Sequence, residues 1–233
     1  MERIVDISYR NKLGHLSSSL TSYPILDYVY SIKKPGDIVI LSAGHGGLAQ
    51  YVILEKYEQK NAEELFIKHG VHPHRDPENG IHVSTGSLGC GILVGVGFAL
   101  ADPKRDVYVI LSDGECAEGS VWEALAFIQK KNLTNIHIHV NVNGYAAYEN
   151  VDTFKLWLRL KSFWWRTYIW YTKPPSAPFF TGLQAHYHVL SEENKDYMFH
   201  KLNEKGVCEN VARCYEKRFK DLLDYCRSWV RYS

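Results

Sequence analysis

No stretch of this chain approaches the roughly 18–20 consecutive apolar residues that a membrane-spanning helix needs. Its opening residues, MERIVDISYR, lack the apolar segment of a secretory leader. Neither sign of charge is in excess, with 27 Lys and Arg against 26 Asp and Glu. That balance argues against nucleic acid or an acidic surface as partner. Cysteine is scarce and odd in number, at 90, 116, 208, 214 and 226, and never in a CxxC pair. The pattern disfavours a disulfide framework or a zinc site and favours reduced thiols in a cytoplasmic protein. Internal repeats and low-complexity tracts are also missing. What remains is a chain of 233 residues, long enough for one sizeable core and read as a single domain over 1–233. It is rich in one residue, with 11 His, and His suits metals, oxyanions and proton transfer.

The periodicities predict alternating helices and strands. Helices are expected over 1–13, 17–32, 47–57, 118–131 and 155–165. Strands are expected at IVILS (38–42), VYVILS (107–112), NIHIHVNVN (135–143) and RTYIWYT (166–172). In the third strand Ile136, Ile138, Val140 and Val142 alternate with His137, His139, Asn141 and Asn143, one set on each face. The segment GSLGCGILVGVGFALA (86–101) is apolar on every side and reads as a buried helix packed very closely. Residues 70–80 and the Pro-rich 173–182 read as irregular. A C-terminal amphipathic helix is expected over 209–230, with Val211, Tyr215, Phe219, Leu222, Cys226 and Trp229 on one face. This alternation implies an α/β fold, a mostly parallel sheet with helices on both faces.

One turn stands out. SDGECAEGSVWE (112–123) lies between a buried strand and a helix, where α/β proteins often hold phosphates, yet it has no Lys or Arg. It carries Asp113, Glu115, Glu118 and Glu123. An acidic turn can hold a phosphate through a divalent cation, which takes carboxylate, amide and carbonyl oxygens. Asp113 ends one predicted strand and Asn143 the next, about 30 positions on, the length of one βαβ unit. Parallel neighbours would place both side chains at one carboxyl edge, with the carbonyl of Tyr145 as a third oxygen.

Here the sequence resembles the transketolase family. The run DG-E-x-x-EG-x-x-WEA, followed at that distance by Asn-Gly, is similar to its thiamine-diphosphate signature. Further matches are Gly14-His15, SAGHGG (42–47) with His45, GVHP (70–73) with His72, TGSLGCG (85–91), and AHYHVLSEEN (185–194) with His186. The resemblance implies a thiamine-diphosphate-binding fold, specifically the pyrophosphate-binding domain. It implies thiamine diphosphate as cofactor, with Mg²⁺ (or Ca²⁺ or Mn²⁺) on Asp113, Asn143 and Tyr145. Gly86, Leu88, Gly114 and His45, with Asp113 and Asn143, would contact the cofactor. His15, His45, His72 and His186 would serve catalysis, and Glu118 and Glu123 would lie at a subunit contact. His69, His74, His82, His137, His139, His188 and His200 match no family motif and are read as structural.

The resemblance covers only the first of the family's three domains. It implies the N-terminal subunit of a split transketolase, passing a two-carbon ketol unit from a ketose to an aldose. Such a subunit would need a C-terminal partner carrying the pyrimidine-binding domain, in an α₂β₂ assembly. Departures from the family are Ser112 for its first Gly, Asn141 for its Asp, and Pro174-Pro175 in place of its late Lys-Gly-x-Gly. A strand–helix excursion is also absent between Trp165 and Arg166. Two alternatives stay open: half of a 2-oxo acid decarboxylase or dehydrogenase, and a non-catalytic cofactor-binding or scaffolding subunit.

Overall fold

The computed structural model describes residues 1–146, 149–163, 167–175, 177–179, 188–203 and 212–214. Its centre is a sheet of β1 (Ile38–Leu41), β2 (Val107–Ser112), β3 (Ile136–Val142) and β4 (Thr167–Thr172), parallel and adjacent in chain order. A short β5 (Ala212–Cys214) pairs antiparallel with β4. These three residues fall inside the span expected as a helix over 209–230; the rest of that span lies outside the described residues.

Strand alternation assigns each side chain to one of two cores. Val39, Leu41, Tyr108, Ile110 and Trp170 face α1 (Glu2–Arg10), α2 (Leu16–Ile32), α3 (Gly47–Glu58) and α4 (Ala62–His69). Met198 and Leu202 of α8 (Glu192–Asn203) join that core. Ile38, Ile40, Val109, Leu111, Ile138, Val140 and Ile169 face α5 (Cys90–Ala101), α6 (Gly119–Lys131) and α7 (Thr153–Phe163). Burial on both sides is why β2 reads as an unbroken apolar run. The fold is thus α/β with a four-strand parallel core covered on both faces.

The predicted alternation in β3 holds, but the middle of its polar face, His139 and Asn141, is buried. Asn141 is 2% exposed and donates to Thr21 Oγ1 at 3.2 Å, while Thr172 donates to Asn141 Oδ1. His139 accepts from Trp170 Nε1 at 3.0 Å. The Ser/Thr-rich start of α2 therefore packs on the polar half of β3, where the Asn141 amide and His139 Nδ1 keep hydrogen bonds. The helix expected over 86–101 begins only at Cys90, after Gly86 and Gly89 take positive φ (133° and 73°). It is buried on one face alone: Leu93, Val94 and Leu100 are exposed. Helices α4 and α8 were not anticipated from periodicity. Among the described residues no helix is long and apolar enough to cross a membrane.

Candidate functional site

The carboxyl edge of β1, β2 and β3 gathers the loops that the sequence singles out. Ser112 pairs with Asn141 across β2 and β3, so Asp113 and Asn143 leave the sheet side by side. The Asp113 carboxylate is 2% exposed. Its Oδ2 accepts from the backbone N–H of Asn143 at 3.0 Å and of Gly144 at 2.7 Å. Its Oδ1 accepts from Gly114 N–H at 3.0 Å. Burial pushes this carboxyl up to about 7, against the pull of those N–H donors. No salt bridge to Asp113 occurs among the described residues.

This donor set fits a hard divalent cation. A buried carboxylate without a cationic side chain is costly unless another positive charge meets it. Asp113 Oδ1 and Asn143 Oδ1 each accept one hydrogen bond, the latter from Tyr145 N–H at 2.9 Å, and each keeps a lone pair. Among the described residues no group of three or more His, Cys, Asp and Glu is arranged to hold a metal. A cation here would instead take the mixed set of Asp113 carboxylate, Asn143 amide and Tyr145 carbonyl, as oxygen-preferring ions do.

The other loops meet around this point. His15 precedes α2 at φ 58°, and its ring lies 5.8 Å from that of His45, centroid to centroid. His45 sits in a short turn, Gly44–Gly46, directly after β1. A Cβ on Gly44 would stand 2.6 Å from Gly86 N, and one on Gly86 would stand 3.0 Å from the His72 ring. Glycine at both positions lets the backbones at 44 and 86 touch and the His72 ring pack on Gly86, so three motif-bearing loops meet. Leu88 is half-buried in the same loop as Gly86, while Glu118 and Glu123 are exposed at the start of α6. His186 lies outside the described residues.

Sequence reasoning passed over two anchors. Glu115, noted only as part of an acidic turn, is fully buried and accepts from Ser42 Oγ at 2.6 Å. It also accepts from Gly89 N–H and Ser112 N–H, both at 3.0 Å. Burial raises its carboxyl, and these three bonds oppose the shift. Asp76 fastens the loop that carries His72, accepting from Lys68 Nζ at 2.7 Å and Asn79 Nδ2 at 2.8 Å and meeting His69 Nε2 at 3.1 Å. Lys68, Asn79 and His69 hold its carboxyl down at about 2. Thr85 N–H closes the neck of that loop on Pro73 O at 3.0 Å.

Comparison with known proteins identifies the family. Residues 34–167 match the family described as "Transketolase, thiamine diphosphate binding domain". The chain is similar to 1-deoxy-D-xylulose-5-phosphate synthase of Fusobacterium nucleatum, 29% identical over 68% of this chain and 26% of that protein. It is similar to an apulose-4-phosphate transketolase subunit of Phocaeicola vulgatus, 34% identical over 58% of this chain and 55% of that protein. Another similar protein is the 6-deoxy-6-sulfo-D-fructose transketolase subunit SqwG of Clostridium sp. strain MSTE9, 32% identical over 56% and 55%. The matched region thus spans about a quarter of the synthase and about half of each transketolase subunit. Among solved structures, transketolase from Leishmania mexicana superposes with a TM-score of 0.54 at 22% identity, over 68% of this chain and 29% of that one, a likeness of fold. The match over residues 34–167, more than half of the chain, shows that this chain belongs to the transketolase thiamine-diphosphate-binding domain family.

Proposed function

We propose that this chain is the diphosphate-binding, N-terminal subunit of a split transketolase, active with a second subunit that carries the pyrimidine-binding domain. The observation that carries the reading is the Asp113 carboxylate, buried, unmatched by a cationic side chain among the described residues and tied to the backbone of Asn143 and Gly144. In this reading Asp113, Asn143 and the Tyr145 carbonyl hold a divalent cation, and Gly114, Gly86, Leu88 and His45 lie against the diphosphate. When bound, thiamine diphosphate supplies the nucleophilic carbon and the electron sink for moving a two-carbon ketol unit from a ketose to an aldose. His15, His72 and His186 bond the sugar's hydroxyls and carbonyl and move protons.

Two observations support a partner. Two similar proteins are themselves named as transketolase subunits. The outer faces of α5 and α6 also expose Leu93, Val94, Leu100 and Phe127. Beside them lies a pocket of about 260 Å³ lined by Leu93, Val96, Glu123, Ala124 and Phe127. An apolar surface of this kind beside a site suits a subunit contact, with Glu118 and Glu123 at its rim. Closed two-fold assemblies dominate among oligomers, which favours α₂β₂.

The test is calorimetry with Mg²⁺ and thiamine diphosphate on the assembled complex, with ketol transfer assayed beside it. Asp113→Ala and Asn143→Ala are each expected to abolish metal-dependent cofactor binding while the protein stays folded. Unchanged affinity in either variant removes the metal-site assignment. Tight cofactor binding without ketol transfer would instead favour the scaffolding reading, which Pro174-Pro175 in place of the family's Lys-Gly motivates.

A further inference from the structure

We infer that Glu115 is a positioning residue that holds three segments of the site in register before any ligand arrives. The inference rests on the functional reading above and concerns how this chain builds that site. Glu115 is 0% exposed, so its carboxylate lies behind the loops rather than in the open site. Each of its donors comes from a different segment, two loops and the end of β2. Ser42, at 2.6 Å, opens the segment that carries His45. Gly89, at 3.0 Å, closes the segment that carries Gly86 and Leu88. Ser112, at 3.0 Å, adjoins Asp113. One side chain therefore fixes the elements proposed to hold both the cation and the diphosphate.

The surroundings make this register strict. The other backbone group of Gly89 is held too, its carbonyl accepting from Ser120 Oγ at 3.0 Å. A Cβ on Gly89 would lie 2.4 Å from Ser120 Oγ, and one on Gly91 would lie 2.5 Å from Ser42 Oγ. The loops have no slack, so a shift in one is passed to the next. Gly89 also immediately precedes α5, and a carboxylate at a helix N-terminus is favoured by the helix dipole. Among the described residues three donors converge on the carboxylate and no acceptor does. A carboxylate satisfies all three, whereas Gln must turn its NH₂ group either toward Ser42 and Gly89, which share Oε1, or toward Ser112, which meets Oε2.

Two measurements test the inference, one without cofactor. In the ligand-free chain, amide exchange at Gly89 or Ser112, whichever faces the new NH₂ group, is expected to accelerate about tenfold or more in Glu115→Gln, since a buried donor without an acceptor is costly. Exchange at Val109 and Ile138 in the sheet stays unchanged. In the assembled complex, Glu115→Gln weakens thiamine diphosphate with Mg²⁺ about tenfold, and Glu115→Ala weakens it further. Ser42→Ala deletes one donor, leaves the carboxylate in place and is expected to weaken the cofactor by a smaller factor. It decides the matter if the Glu115 variants do not fold. Unaltered exchange at Gly89 and Ser112, or wild-type cofactor affinity in both Glu115→Gln and Ser42→Ala, overturns the inference. If the wild-type complex binds no thiamine diphosphate, the functional reading fails, and the exchange experiment still decides whether Glu115 sets the loops.

Discussion

His139 shows how a residue type associated with chemistry can be structural. Its ring is 1% exposed, stacks on Tyr168 at 4.7 Å, and uses Nδ1 to accept from Trp170. Its Nε2 is buried, with no hydrogen-bond partner among the described residues. Burial depresses its pKa to about 3 from the ordinary 6.5. A depressed folded-state pKa means that the neutral ring's contribution is fully present above pH 6.5. It is lost as pH falls toward the folded value, with a limiting slope of about 1.4 kcal/mol per pH unit. Between pH 7 and pH 5 wild type is therefore expected to lose urea midpoint relative to His139→Asn, which keeps an acceptor near the Nδ1 position and removes the titrating ring. The raised Asp113 carboxyl pulls the other way over that range in both proteins and cancels in the difference. An equal pH slope in the variant would rule out His139 as the source.

The same scale explains what the sequence made readable. Asp113 and Asn143 were legible because both end predicted strands and their spacing matches one crossover. Glu115 was not, because its partners lie 73, 26 and 3 positions away and belong to no common pattern. Carboxylates on either side of it look identical in sequence. Only the fold separates Glu115, enclosed by donors, from the exposed Glu118 and Glu123.

At the scale of elements, the β-strands and the βαβ spacing were legible because strand burial writes a period of two into β3 and an apolar run into β2. Helix α4 is short, and its signal is the cap, with Asn61 Oδ1 accepting from Glu63 and Glu64 N–H. Helix α8 buries only Met198 and Leu202, too few for a visible stripe. The segment around α5 misled for the opposite reason: a helix apolar on every side carries no mark of which side meets water. Its glycines can now be told apart. A Cβ on Gly95 would stand 2.6 Å from Val109 Cγ2, while one on Gly97 would meet nothing within 4 Å among the described residues. Gly97→Ala is expected to stabilise by about 0.5–1 kcal/mol through helix propensity. Gly95→Ala is expected to destabilise by about 1–3 kcal/mol, since overpacking outweighs that gain. Denaturant midpoints for the two variants check this, and a gain at Gly95 would mean that α5 can lift from β2 without cost.

For the whole molecule, the central question is what covers the outer faces of α5 and α6. If the proposed partner binds there, Leu100→Asp should leave circular dichroism and the urea midpoint nearly unchanged, because Leu100 is already 48% exposed. It should weaken assembly with the second subunit at least about tenfold, since burying an unpaired charge in an interface is costly. Wild-type assembly in sedimentation would place the contact elsewhere.

The helix α5 and the loop before it contain no charged residue from Gly86 to Ala101. In the cell that lack bears on gene dosage. A copy made without the proposed partner would present an uncharged, sticky helix to everything it meets, and such surfaces draw chaperones, proteases and other copies of themselves. Balanced synthesis of the two subunits would then be a condition of abundance as well as of activity. The chain's half-life should lengthen when the second subunit is co-expressed, and a half-life indifferent to co-expression would show that the orphan copy is tolerated.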